Sequence, residues 1–153
     1  MPRLSEVRTS LEVGFPNGTL PERFAHLRGR DWRSIGPLAE FPYEDAQFEV
    51  VMMDGAMVSR ASVREANRVL RPDGILVFTV NERRGGQAGY TLPDIYAVVR
   101  DGFSIAEVER PAWWHFGRRG HTLTITARKK VWKDYKGFTR EGTFPFSPFR
   151  SRT

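Results

Sequence analysis

The stretch FEVVMMDGAMVSRASVREANRVLRPDGILVFTV, Phe48 to Val80, decides the fold. Phe48 to Met53 is a short apolar run ending at Asp54-Gly55, the pattern of a strand buried on both faces. Ser59 or Ser62 can cap a helix that runs to about Leu70, with Val63, Ala66, Val69 and Leu70 on one face. Arg71-Pro72-Asp73-Gly74 stops that helix, because proline disfavours helix at the residue before it and glycine permits a turn. Ile75 to Val80 is then a second buried strand. Strand, helix and strand within about 30 residues make a parallel crossover unit, right-handed by default.

Downstream, Asn81 to Tyr90 is polar and rich in glycine, as expected of a loop at the carboxyl end of the second strand. Leu92 to Arg100 is a helix candidate with Pro93 near its start, where a missing N–H costs little, and Gly102 closes it. Phe103 to Val108 and His121 to Ala127 alternate apolar with polar residues, and Phe116 to Gly120 between them reads as the tip of an antiparallel hairpin. Upstream, Leu11 to Val13 runs into Gly14-Phe15-Pro16-Asn17-Gly18. Pro21 to Leu27 fits two helical turns, and Asp31 to Ile35 is a weakly alternating strand. The fold class expected is α/β: a Rossmann-like, doubly wound, mostly parallel sheet with a C-terminal antiparallel hairpin. Only about 20 residues separate Gly18 from Leu38, so one sheet edge is expected to be reduced.

A chain of 153 residues with 40% hydrophobic and 27% charged content suits one domain that needs no disulfide or metal staple. The absence of cysteine excludes a disulfide scaffold, a thiolate metal site and a cysteine nucleophile. His26, His115 and His121 lack metal-ligand spacing, so no metal is expected. No apolar run approaches the roughly 20 residues that span a bilayer, and the first ten residues lack a secretory apolar core, so a cytoplasmic protein without membrane attachment is expected.

The net charge of +6 is unevenly placed. The last 26 residues carry eight of the 24 basic groups and two of the 18 acidic ones, so residues 1–127 balance and residues 128–153 hold the whole excess. This divides the chain into an α/β body, 1–127, and a basic aromatic tail, 128–153. The tail interleaves its cations with Trp132, Tyr135, Phe138, Phe144, Phe146 and Phe149. Such a segment can bind nucleic acid by neutralising phosphates and stacking on bases, or it can pack as an extended strap on its own body or on a second copy.

In a doubly wound sheet the ligand sits beyond the carboxyl ends of the strands where their order switches. Those ends are Gly14 to Gly18, Asp54-Gly55 and Asn81 onward. The arrangement resembles the class I S-adenosylmethionine-dependent methyltransferases. EVGFPNG, Glu12 to Gly18, is similar to their acidic-x-Gly-x-Gly-x-Gly cofactor loop. FPYEDAQFEVVMMDG, Phe41 to Gly55, is similar to their Leu-Pro-Phe-x-Asp-x-x-Phe-Asp segment, and REANRVLRPDGILVFTV, Arg64 to Val80, to their Glu-x-x-Arg-Val-Leu-x-Pro-Gly-Gly segment. The resemblance spans about Leu11 to Ala127. It implies S-adenosylmethionine as cofactor, held by Glu12, Gly14, Phe15, Asn17, Gly18, Asp54 and Gly55, and methyl transfer to a small or macromolecular acceptor. No catalytic base is named by it, because methyl transfer from a sulfonium needs mainly alignment and water exclusion.

Two departures stand beside the resemblance. Pro16 replaces the middle glycine, and Arg33 to Pro37 supplies no acidic residue at the end of the second strand. They leave a rival reading open, a non-catalytic binding or assembly module that works through the tail. Arg83 and Arg84, beside Gly85-Gly86, are placed to close on an anionic substrate. Glu65 and Arg68 read as an exposed helical pair. Trp113 and Trp114 read as core and rim packing, and a homodimer is expected from the exposed sheet edge.

Overall fold

The computed structural model describes residues 7–15, 20, 22–36, 38–81, 90–109 and 122–131. In chain order the strands are β1 (Thr9–Val13), β2 (Asp31–Ile35), β3 (Phe48–Met53), β4 (Leu70–Asn81), β5 (Phe103–Glu109) and β6 (Thr122–Lys129). Two α-helices, α1 (Arg60–Val69) and α2 (Leu92–Val99), and a 3₁₀ helix at Glu22–Leu27 complete the frame.

The six strands form one sheet in the order β2-β1-β3-β4-β6-β5. β2, β1, β3 and β4 run parallel, and β6 lies antiparallel between β4 and β5. After β1 the chain builds β2 on one side, then returns to place β3 on the other. The strand order therefore switches between β1 and β3, and among the described residues the sheet ends at β2.

Period-two alternation divides the apolar residues between two faces. Leu11, Val13, Val51, Met53, Leu76, Phe78, Val80, Leu123, Ile125 and Ala127 face α1 and α2, meeting Val63, Ala66, Val69, Ile95 and Val99. Val50, Met52, Ile75 and Val77 face the other way, where Phe24 and Leu27 of the 3₁₀ helix cover them together with Phe15.

Each α-helix starts on a reciprocal cap. The Ser62 N–H donates to Ser59 Oγ at 3.1 Å while the Ser59 N–H donates to Ser62 Oγ at 2.9 Å, so both serines act. Thr91 and Asp94 do the same for α2, with Pro93 in its first turn. The C-terminal ends are held by lysines. Lys129 Nζ donates to the carbonyls of Asn67 and Leu70 at 2.6 and 2.7 Å, and Lys130 Nζ to that of Arg100 at 2.7 Å. Burial lowers the Lys129 ammonium below its ordinary range. Arg128 pairs with Asp73 at 2.7 Å. Strand β6 thus extends two residues past Ala127, and the first three basic groups assigned to the tail brace the body.

Two further expectations change. The turn at Arg71 to Gly74 belongs to an irregular strand that begins at Leu70, which pairs with Phe48; Asp73 takes φ 64° to make the bend. Glu65 and Arg68 are more than a surface pair. Arg68 donates to both oxygens of Glu65, to Asp45, and to the carbonyls of Phe41 and Tyr43, all at 2.8 or 2.9 Å. Glu65 in turn accepts the Phe41 N–H at 2.8 Å. These bonds tie the segment before β3 to α1, and the bond to Arg68 holds the Glu65 carboxyl below its ordinary range. No described helix is long and apolar enough to cross a membrane.

Candidate functional site

The carboxyl ends of β1 and β3 meet at the switch in strand order. The Asp54 N–H donates to the Val13 carbonyl at 3.0 Å, and the Gly14 N–H to the Ile35 carbonyl at 2.9 Å, so the ends of β1, β2 and β3 are drawn to one level. Gly14 takes φ +86°, a conformation that glycine adopts readily and a side chain does not. A Cβ there would overlap Met57 Cγ and stand 3.4 Å from the Asp54 Cβ. The glycine therefore serves two purposes: it bends the chain out of β1, and it makes room for Met57.

Asp54 is half-buried and extended (φ −69°, ψ 140°) just ahead of the 3₁₀ turn Gly55–Met57, yet its side chain makes no capping bond. Gly55 is required by packing, since a Cβ would overlap the carbonyl oxygen of Thr79 on β4. Phe15 sits in the core, 8% exposed, with its ring edge-on to Phe24 at 6.4 Å.

Glu12 is fully buried on the face of β1 opposite the helices. Its carboxylate accepts Arg28 Nε at 2.5 Å and an Arg28 terminal nitrogen at 2.8 Å, a two-pronged ion pair. That bond raises the guanidinium above its ordinary range. The Arg28 guanidinium carbon lies 4.0 Å from the centre of the Trp32 ring on β2. A buried carboxylate on a strand requires a counter-charge, and Arg28 meets it by following a 3₁₀ helix that returns the chain to the amino end of β1, where the Gly29 N–H donates to Ser10 Oγ. The sequence reading placed Glu12 on the cofactor and named no partner for it within the chain. The signal was the acidic residue between the apolar Leu11 and Val13 of a buried strand, which demands a cation from somewhere in the fold.

Of the residues expected to hold a cofactor, the structure gathers Gly14, Asp54 and Gly55 at one junction, with Glu12 behind it under Arg28 and Phe15 in the core. Asn17 and Gly18 lie outside the described residues, as do Pro16, Arg83, Arg84, Trp113, Trp114 and most of the tail. At the neighbouring end of β4, the Tyr90 N–H donates to the Asn81 carbonyl at 2.8 Å and its hydroxyl to the Val58 carbonyl at 3.3 Å. An open depression lined by Glu49, Arg71, Pro72, Asp73 and Gly74 lies at the opposite, amino end of β3 and β4, away from this junction. Among the described residues no three His, Asp or Glu side chains are grouped to hold a metal.

No protein-family model matches the sequence, and no curated protein matches it. Solved structures do match in fold. A SAM-dependent methyltransferase of Methanosarcina mazei aligns with a TM-score of 0.60 at 14% identity, over 82% of this chain and 94% of that one. The 1,6-didemethyltoxoflavin-N1-methyltransferase of Burkholderia thailandensis, solved with S-adenosylhomocysteine, aligns with a TM-score of 0.60 at 20% identity, over 84% and 73%. The fold is that of SAM-dependent methyltransferases. The [4+2]-cyclase SpnF shares this methyltransferase fold equally well, with a TM-score of 0.59 at 18% identity over 84% of this chain and 76% of its own. A methyltransferase fold therefore does not by itself name a reaction.

Proposed function

We propose that the chain is an S-adenosylmethionine-dependent methyltransferase that holds its cofactor over the carboxyl ends of β1 and β3. The observation that carries this reading is the Gly14–Asp54 junction: a positive-φ bend beside a carboxylate not spent on capping, at the strand-order switch of a methyltransferase fold. In this reading the junction takes the polar end of the cofactor. The main chain at Gly14 and the Asp54 carboxylate would hold it, with Asn17 and Gly18 continuing the loop. Glu12 contributes by positioning Arg28, and Phe15 and Gly55 shape the floor. S-adenosylmethionine, when bound, supplies a methyl group whose bond to sulfur breaks with its electron pair passing to sulfur. The protein's part is to align an acceptor and exclude water, which can lower a barrier by about 7–11 kcal/mol without an acid–base pair.

One set of observations favours a second reading, a non-catalytic module with the same fold. Both oxygens of Glu12 are engaged by Arg28, and Met57 fills the space beside Gly14. That reading draws little on nucleic acid through the start of the tail, since Arg128, Lys129 and Lys130 already hold Asp73 and main-chain carbonyls.

Thermal unfolding with added S-adenosylmethionine or S-adenosylhomocysteine tests the choice. Ligand at 100 times its dissociation constant stabilises the native state by about 2.7 kcal/mol, which for a domain of this size is a rise of roughly 5–10 °C. Asp54→Ala should reduce that rise without lowering the unliganded melting temperature. A melting temperature unmoved by millimolar cofactor supports the non-catalytic reading.

A further inference from the structure

We propose that two copies of the chain pair antiparallel along β2, about a two-fold axis passing through Trp32. This inference is independent of the methyl-transfer reading. The Asp31 N–H donates to Arg8, and the Ile35 carbonyl accepts from Gly14, so the odd-numbered residues of β2 turn their polar groups inward to β1. Successive residues of a strand point opposite ways, which leaves the N–H and C=O of Trp32 and Ser34 directed outward along the edge. The side chains from Asp31 to Ser34 are exposed. Trp32 at 40% and Leu38 at 45% are two of the three large hydrophobics exposed among the described residues.

An outward row of unpaired main-chain groups accepts another strand, and many proteins prevent this with charges that repel a second copy. The charges here do the reverse. In a symmetric antiparallel pair the residue on the axis faces itself; centring on Ile35, the last strand residue, leaves Asp31 and Arg33 with no strand residue opposite, so the centres to compare are Asp31, Trp32, Arg33 and Ser34. Centring on Asp31 or Arg33 sets like charges face to face, and centring on Ser34 leaves Arg33 opposite Ile35. Centring on Trp32 sets Asp31 of each copy opposite Arg33 of the other, two ion pairs related by the axis. It also makes Trp32 a hydrogen-bonded pair with itself, which matches the outward direction of its N–H and C=O. Within one chain Asp31 and Arg33 meet only at 3.6 Å, with side chains 64% and 56% exposed, so both remain available.

Sedimentation equilibrium of the full chain should show a species of twice the 17.6 kDa chain mass. Arg33→Asp and Asp31→Arg, each placing like charges across the axis, should each weaken the dimer at least about tenfold. Combining the two exchanges the signs and should restore the wild-type affinity within about threefold. Both side chains are exposed, and a far-UV circular dichroism spectrum matching that of the wild type confirms that the variants fold. The chain has no cysteine, so Trp32→Cys provides a clean trap. The Cα atoms of a hydrogen-bonded pair lie about 5.5 Å apart, within disulfide reach, and mild oxidation should link the copies. Ser34→Cys, some four residues or about 13 Å from its counterpart, should not. A monomer at every concentration, a dimer indifferent to Arg33→Asp, a double exchange that fails to restore it, or equal cross-linking through Ser34→Cys would each overturn the proposal.

Discussion

The two halves of the sheet are held by different physics. Around β3, α1 and β4 the chain uses redundant, mostly apolar means: strands buried on both faces, two capped helices, and lysines from β6 and the residue after it on the helix ends. Around β1 and β2 there is an exposed edge strand and a buried carboxylate matched to one arginine. Redundant apolar burial tolerates local damage, because each contact is one of many. A buried ion pair does not, because losing one partner leaves the other's desolvation uncompensated. The candidate site lies on the seam between these halves, with Gly14 from one and Asp54 from the other.

That contrast breaks most readily at Arg28. Arg28→Met should destabilise the protein by about 3–5 kcal/mol, since it strands a fully buried Glu12. Pairing it with Glu12→Gln should recover much of the loss in a denaturant titration. Hydrogen exchange should show the damage first in the amides of β1 and β2, with β3 and β4 still protected. Uniform loss of protection would mean that the halves are not distinct. On the other side of the seam, Gly55→Ala forces a methyl group against the Thr79 carbonyl oxygen, a main-chain atom that cannot swing aside. Overpacking of this kind should cost about 1–3 kcal/mol in the same titration. Ser59→Ala removes one cap from α1 and should cost about 1 kcal/mol, with cooperativity unchanged.

The smallest effect concerns pH. The Arg68 guanidinium holds the Glu65 carboxyl below its ordinary range. The ionised form is thus favoured on folding, and its contribution is complete above the unfolded-state value and lost as pH falls through the folded-state one. Acid titration should show wild-type stability declining in that window more steeply than Glu65→Gln. Equal slopes would place the acid sensitivity elsewhere.

The difference between the halves also governs what could be read from the sequence. Phe48 to Val80 announces itself because two-sided burial writes continuous apolar runs and helix caps are local signals; β3 has the expected bounds, and both serines offered as caps for α1 are used. The β2 strand was legible only as weak alternation, because an edge strand with exposed side chains has little apolar pattern to show. Gly14 and Asp54 were legible as strand ends, and the structure brings them together. Arg28 was not, because its pairing with Glu12 spans 16 residues and depends on how the intervening chain turns back. Met57 against Gly14 was hidden for the same reason, and the Glu65–Arg68 pair carried no sign of the loop it ties down. Position in sequence shows which residues are adjacent on a helix or strand, but not which loop a long side chain will reach.

The most direct test follows the backbone amides of Gly14 and Asp54 by NMR while S-adenosylhomocysteine is titrated into the intact protein. A cofactor seated on the seam should shift both resonances together in a saturable, one-to-one manner, with Glu49 and Asp73 at the far end of the strands unmoved. Spectra that stay constant to millimolar ligand, or shifts confined to that far end, would contradict it.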